Sequence, residues 1–328
     1  MRGSFDNLTT PKIAVMARKI IIDCDPGIDD AVAICMALFD PRLEVLAITA
    51  CAGTIASDQA TANVRGIVNL LDPPRYPRIG AASPCDDAPV SDDTDMHGHD
   101  GLAGCRFSEA DRQQRHLSEK VIGELLRMYP GQVTIVACGP LTNIARAFSR
   151  DPGLVGLVDK IVISGGTYSH SGNITPAAES NMHFDPKAAR EVFRSATTKS
   201  LVPLDVTEKV TFGVDLLEAI PKKFTRAGDL LHRILPFAFR AAHEKLGREA
   251  ITLYDPVALV GILEPDLFKW REMAGDVETQ GELTRGATIF DRRRRRHWEF
   301  NMEVAIEVDV DEVARRVVRG LKLAGQET

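Results

Sequence analysis

Residues 19–40 read KIIIDCDPGIDDAVAICMALFD, and the fold turns on them. Ile20, Ile21 and Ile22 form an apolar run without alternation, the pattern of a strand buried on both faces. Pro26 and Gly27 turn the chain where that run ends, and from about Ile28 apolar residues return at helical spacing. The same stretch carries four aspartates within eight positions: Asp23, Asp25, Asp29 and Asp30. Like charges a few ångströms apart in a poorly hydrated site repel strongly, so something must offset them.

Outward from this stretch the strand-then-helix rhythm repeats. LEVLAITAC (43–51) precedes a helical segment at 57–71, and QVTIVAC (132–138) runs into PLTNIARAFSR. DKIVISGG is extended, PKAAREVFRSA helical, and SLVPLDV extended again. Continuous apolar strands alternating with amphipathic helices predict an open, doubly wound α/β fold, with a mostly parallel central sheet and helices on both faces. No linker separates two domains. Residues 19–328 read as one large domain, and residues 1–18 as an N-terminal extension without the unbroken apolar core of a secretory signal. Two polar, Gly-rich loops at 82–116 and 165–183 follow strands and can reach the edge of the sheet where such folds bind ligands.

Bulk composition narrows the function classes. A 44% apolar fraction and a net charge of −6 describe a soluble globular protein without the basic footprint of a nucleic-acid binder. Arg292–Arg296 is the local exception, read as a solvated loop between strands. No stretch is long and apolar enough to span a bilayer, and none implies a membrane partner. Six cysteines at 24, 35, 51, 85, 105 and 138 show no C-x-x-C pair, which fits a reduced, cytoplasmic setting.

Helix capping explains one or two of the four aspartates but not all of them. A hard divalent cation explains the set, because carboxylate oxygens are its preferred ligands. Later strand ends add Thr142 in GPLTNIA and Asp255 in LYDP. The segment 172–186, GNITPAAESNMHFDP, gathers Asn173, Glu179, Asn181 and Asp185, groups suited to hydrogen-bonding several hydroxyls at once.

D-x-D-P-G-x-D-D at 23–30, HGHDGLAG at 97–104, GPLTNIA at 139–145, GNITPAAESN at 172–181 and YDP at 254–256 stand in one order. In that order they resemble the nucleoside hydrolases of the inosine–uridine-preferring type, from about Lys19 to Asp311. The resemblance implies a bound Ca²⁺ and hydrolysis of the N-glycosidic bond of ribonucleosides, as in purine and pyrimidine salvage. It implies that Asp25 binds calcium and acts as general base toward a calcium-bound water. It further implies calcium ligation by Asp30, by the Thr142 backbone carbonyl and by Asp255. Asp29 would hold the ribose 2′-hydroxyl, Asn173 and Glu179 the 5′-hydroxyl, and Asn181 with Asp255 the 3′-hydroxyl. A homo-oligomer, dimer or tetramer, is the family expectation.

Three positions depart from the family pattern. Tyr254 stands where many members have a histidine, which some use to protonate a purine leaving group, and Thr54 and Ser180 replace a common asparagine and a common aromatic residue. Tyr254 is therefore expected to position the base, and His97 to assist its departure, while His99 reads as solvated. Two other readings compete. A haloacid-dehalogenase-type phosphatase also has D-x-D after a strand, but Gly27 stands where that pattern wants Thr or Val. A non-catalytic ribose or nucleoside binder would keep the metal site without turnover.

Overall fold

A computed structural model describes residues 17–85, 94–107 and 116–326. The N-terminal extension read at 1–18 lies outside it up to residue 16, and Arg18 already belongs to the first strand.

Eight strands form the central sheet: β1 (Arg18–Cys24), β2 (Leu43–Ala50), β3 (Arg78–Gly80), β4 (Val133–Ala137), β5 (Val158–Ser164), β6 (Lys199–Val202), β7 (Phe268–Met273) and β8 (Met302–Val308). Their order is β3-β2-β1-β4-β5-β6-β8-β7. Every pairing is parallel except that of β7 with β8 at the edge. The chain runs outward from β1 through β2 to β3, then crosses back to place β4 on the other side of β1. That reversal opens a crevice beyond the carboxyl ends of β1 and β4, where an open α/β sheet binds its ligand.

Ten helices are relevant here: α1 (Ile28–Phe39), α2 (Ser57–Leu71), α3 (Thr94–His97), α4 (Ser118–Met128), α5 (Thr142–Arg150), α6 (Ser180–Phe184), α7 (Pro186–Arg194), α8 (Arg226–Leu246), α9 (Tyr254–Leu263) and α10 (Val310–Ala324). The two-residue period of β1 divides the core between two layers. Ile20 and Ile22 join the apolar layer under α1, α2, α8, α9 and α10, whereas Ile21 joins the one under α4, α5 and α7. All three isoleucines are at most 1% exposed, as an unalternating strand requires. No helix among the described residues is long and apolar enough to cross a membrane.

Of the two long loops, residues 86–93 and 108–115 of the first lie outside the description. Its described middle returns to the β1–α1 turn: Asn63 Nδ2 donates to the carbonyls of both Pro26 (3.3 Å) and Asp100 (2.7 Å). This places α3 and His97 over the crevice. The Arg292–Arg296 run is an exposed loop just before β8, with Arg293 paired to Asp291.

Candidate active site

The carboxyl ends of β1 and β4 open into a cavity of about 250 Å³, of a size for a small molecule. Asp25, the first residue beyond β1, stands at its floor, 3% exposed. Its Oδ2 accepts the Thr54 backbone N–H at 2.6 Å. A side chain at either Gly53 or Gly139 would collide with the Asp25 carboxylate, so the two glycines leave it a slot with no lateral freedom. Thr54 thus serves Asp25 through its backbone N–H and also through its side chain. Burial raises the Asp25 carboxyl to about 7, with the Asp29 charge adding to the effect.

Asp30 occupies the first turn of α1, and its Oδ2 accepts the Gly27 N–H at 2.8 Å. Its other oxygen is buried and has no hydrogen-bond partner. Asp255 enters from the start of α9, 3% exposed. Burial first, and neighbouring aspartates next, push both carboxyls well above the carboxylate range. A carboxylate oxygen of each lies within 4.8 Å of the other and of the Cys138 Sγ. Asp29 also lines the cavity, half-buried.

Two of the residues singled out in the sequence stand back from the cavity lining. Thr142 does not line the cavity. It is the first residue of α5, and its hydroxyl donates to Asp185 at 2.8 Å. The residue that leaves β4 into the crevice is Cys138, whose carbonyl accepts Asn181 Nδ2 at 2.9 Å. Asp185 is likewise a cap, accepting the Ala188 N–H of α7 at 3.0 Å. Asp23 lies one layer below the cavity, fully buried, with Oδ1 accepting from Thr49 (2.6 Å) and Asn143 (2.8 Å).

Asn173, Glu179, Ser180 and Asn181 form the opposite wall. Glu179 caps α6 and is 4% exposed. Its carboxylate accepts four bonds, from the N–H groups of Gly166, Asn181 and Met182 and from the Ser180 hydroxyl, at 2.8–3.2 Å. These fill the roughly four acceptor sites of a carboxylate. Gly165 leaves room for it: at φ +135° its missing Cβ would stand 2.7 Å from Glu179 Oε2. Asn173 Oδ1 accepts the Ser180 N–H at 2.9 Å, which leaves its amide nitrogen toward a ligand.

The far end of the cavity is walled by α3, α8 and the start of α9. His97 Nδ1 accepts the Ile28 N–H at 3.0 Å and so satisfies one of the open amides at the start of α1. A ring nitrogen that accepts cannot carry the proton, so the imidazole is held as the Nε2–H tautomer. Gly27 permits this contact, since a Cβ there would lie 2.8 Å from His97 Nδ1. Burial, then the charges of Glu208 and Asp29, raise the Tyr254 phenol above its usual range, so it stays a neutral hydroxyl. His99 is exposed and does not line the cavity. Ala238, Ala242 and Leu246, one turn apart on α8, supply an aliphatic wall that sequence reasoning did not anticipate.

The donor set can hold a hard divalent cation. Asp25, Asp30 and Asp255 are buried with their carboxyls raised above the ordinary carboxylate range, and the unpartnered Asp30 oxygen asks for a positive ligand.

Comparison with known proteins gives one answer. The family described as inosine-uridine preferring nucleoside hydrolase matches residues 20–315. The chain is 35% identical over 312 residues to the non-specific ribonucleoside hydrolase RihC of Escherichia coli (strain SE11), covering 94% of this chain and 100% of that protein. Its fold is similar to the purine-preferring ribonucleoside hydrolase from Gardnerella vaginalis, with a TM-score of 0.86, 29% identity, and coverage of 94% of this chain and 100% of that one. The plant nucleoside hydrolase PpNRh1 is as near, at TM-score 0.85 and 29% identity over 93% of this chain and 98% of that chain. With the sheet, the aspartate turn and the motif order all in agreement, this chain belongs to the inosine-uridine preferring nucleoside hydrolases, glycosidases that act on N-glycosyl bonds.

Proposed function

We propose that this chain hydrolyses the N-glycosidic bond of ribonucleosides in a calcium-dependent reaction, releasing ribose and the free base. The observation that carries this reading is the set of buried, partly unpartnered carboxylates at the sheet's reversal point, facing a cavity with hydroxyl-binding groups on one wall and an aliphatic wall at the far end.

Asp25, Asp30 and Asp255, with the backbone carbonyl of Thr142, are the groups that would hold Ca²⁺. The ion's chemistry there is charge compensation for the three acids and Lewis acidity toward oxygen. The chain's own groups do the rest. Asp25, immobilised between Gly53 and Gly139, takes a proton from water as the water oxygen bonds to C1′. The C1′–N bond breaks with its electron pair going to the base. Positive charge then builds on the ribosyl group, and the surplus carboxylates stabilise it. Asp29, Asn173, Asn181 and Asp255 orient the sugar hydroxyls. Glu179 contributes mainly by fixing the α6 turn, since its acceptor sites are filled. His97 donates an Nε2–H bond to the departing base, and Tyr254 positions the base.

Incubation with a mixture of ribonucleosides, followed by assay for free ribose, tests the reading. Ribose should be released, lost on chelation and restored by calcium. Asp30→Ala should lose most of the metal and nearly all turnover. Full calcium content in that variant would remove Asp30 from the ligand set, and nucleoside binding without ribose release would make the chain a binder.

A further inference from the structure

The lining of the cavity is electrostatically lopsided. Asp25, Asp29, Asp30, Glu179 and Asp255 line it, and among the described residues the only lysine or arginine that does so is Arg248. That arginine does not belong to the acidic floor. It follows the C-terminus of α8, where Gly247 at φ +62° reverses the chain and the Arg248 N–H closes on the Ala242 carbonyl at 3.1 Å. Its backbone is therefore pinned beside the aliphatic wall made by Ala242 and Leu246. Its side chain is exposed and makes no ion pair among the described residues, and the adjacent Glu249 is taken by His243 at 3.1 Å. Arg248 lines the cavity just after Leu246, at the end walled by α8.

On the hydrolase reading above, that end receives the nucleobase, and the base leaves with the bonding pair. The polar groups already described deliver no charge to meet it. His97 spends Nδ1 on the Ile28 N–H, so it offers the base one hydrogen bond through Nε2. We infer that Arg248 takes up the negative charge of the departing base, its guanidinium donating to the ring nitrogen and carbonyl edge on which that charge spreads. The proton balance closes without an acid in the site. The water proton goes to Asp25 and then to solvent, and the base anion leaves as an ion pair with Arg248 and is protonated in solvent. Because guanidinium has donors only, it pairs best with an edge offering two acceptors, such as the O6/N7 edge of a 6-oxopurine, and less well where an amino group replaces the oxygen.

The test is a leaving-group series on the calcium-loaded enzyme. Arg248→Gln and Arg248→Lys are compared with the unaltered chain on inosine, guanosine, adenosine and p-nitrophenyl riboside. Arg248→Gln should lower kcat on inosine and guanosine by about tenfold to a hundredfold, with a smaller loss on adenosine and the smallest on p-nitrophenyl riboside, whose anion is already stable. Arg248→Lys should recover part of the loss. The alkaline limb of the pH–rate profile should not move, since arginine does not titrate there. Equal losses on all four substrates, no loss on any, or disappearance of an alkaline limb in Arg248→Gln would overturn the assignment. Absence of ribose release by the unaltered chain would instead overturn the hydrolase reading itself.

Discussion

At the scale of single residues, geometry sharpens what each group can do. The aspartate cluster was legible in sequence because its members are fixed by local spacing: a strand end, a Pro-Gly turn and the first turn of a helix. Cys138 and Arg248 were not, since nothing near them in the chain says which cavity they border. For His97, the bond from Ile28 N–H fixes a donor role through Nε2. His97→Ala should slow natural nucleosides by roughly tenfold to a thousandfold and barely affect p-nitrophenyl riboside. Steady-state rates on both substrates check this. Equal losses would mean that His97 shapes the site by satisfying α1, and no loss would return it to a solvated position.

At the scale of elements, Asp23 shows how the sheet is tied to its helical cover. Asn143 Nδ2, on α5, donates both to Asp23 Oδ1 on β1 and to the Ala50 carbonyl at the end of β2, at 2.8 and 2.9 Å. Three elements therefore meet on one amide beneath the cavity. Asn143→Ala would leave a fully buried carboxyl with Thr49 alone and orphan a backbone carbonyl. A loss of about 2 kcal/mol, within the range for unsatisfied buried groups, is expected in urea unfolding. A loss below about 0.5 kcal/mol, ordinary for surface changes, would show that the amide is dispensable. The parallel core was readable from its unalternating strands. The 21-residue α8 was not, because Pro236 interrupts the pattern from within. Its Thr225 cap and its Gly247 at the C-terminus were the available signals. With α8 went the wall that borders the base end, so the sugar side of the site was read more fully than the base side.

At the scale of the whole molecule, the crowded acids couple folding to pH and to metal. Asp23 and Asp25 are raised to about 7 from 3.8, and Asp30 and Asp255 are raised well above the carboxylate range, all chiefly by burial. In metal-free protein the folded state thus keeps protons that the unfolded chain releases near pH 4. That contribution to stability is present below the unfolded value and is lost as pH rises through the folded ones. Chelator-treated protein should therefore melt at progressively lower temperature between about pH 5 and 8. Added calcium, which binds the ionised set, should raise Tm by an amount that grows with pH. Thermal scans with and without calcium check both statements, and a Tm that rises with pH in the metal-free protein would contradict the buried-acid account.

The lopsided lining of the cavity, five carboxylates against one guanidinium, also decides which members of a metabolite mixture can enter. A nucleoside is neutral and meets the acids only through its hydroxyls. A 5′-monophosphate brings about two further negative charges to the wall formed by Asn173 and Glu179, where no lysine or arginine among the described residues lines the cavity to receive them. Inosine 5′-monophosphate should accordingly release no ribose 5-phosphate and should not slow inosine hydrolysis when present in equal amount, which a competition assay would read directly. The carboxylates that make the ribosyl cation tolerable would then also act as a filter. Spent nucleosides would be dismantled, while the phosphorylated pool that feeds nucleic-acid synthesis and energy transfer would pass untouched.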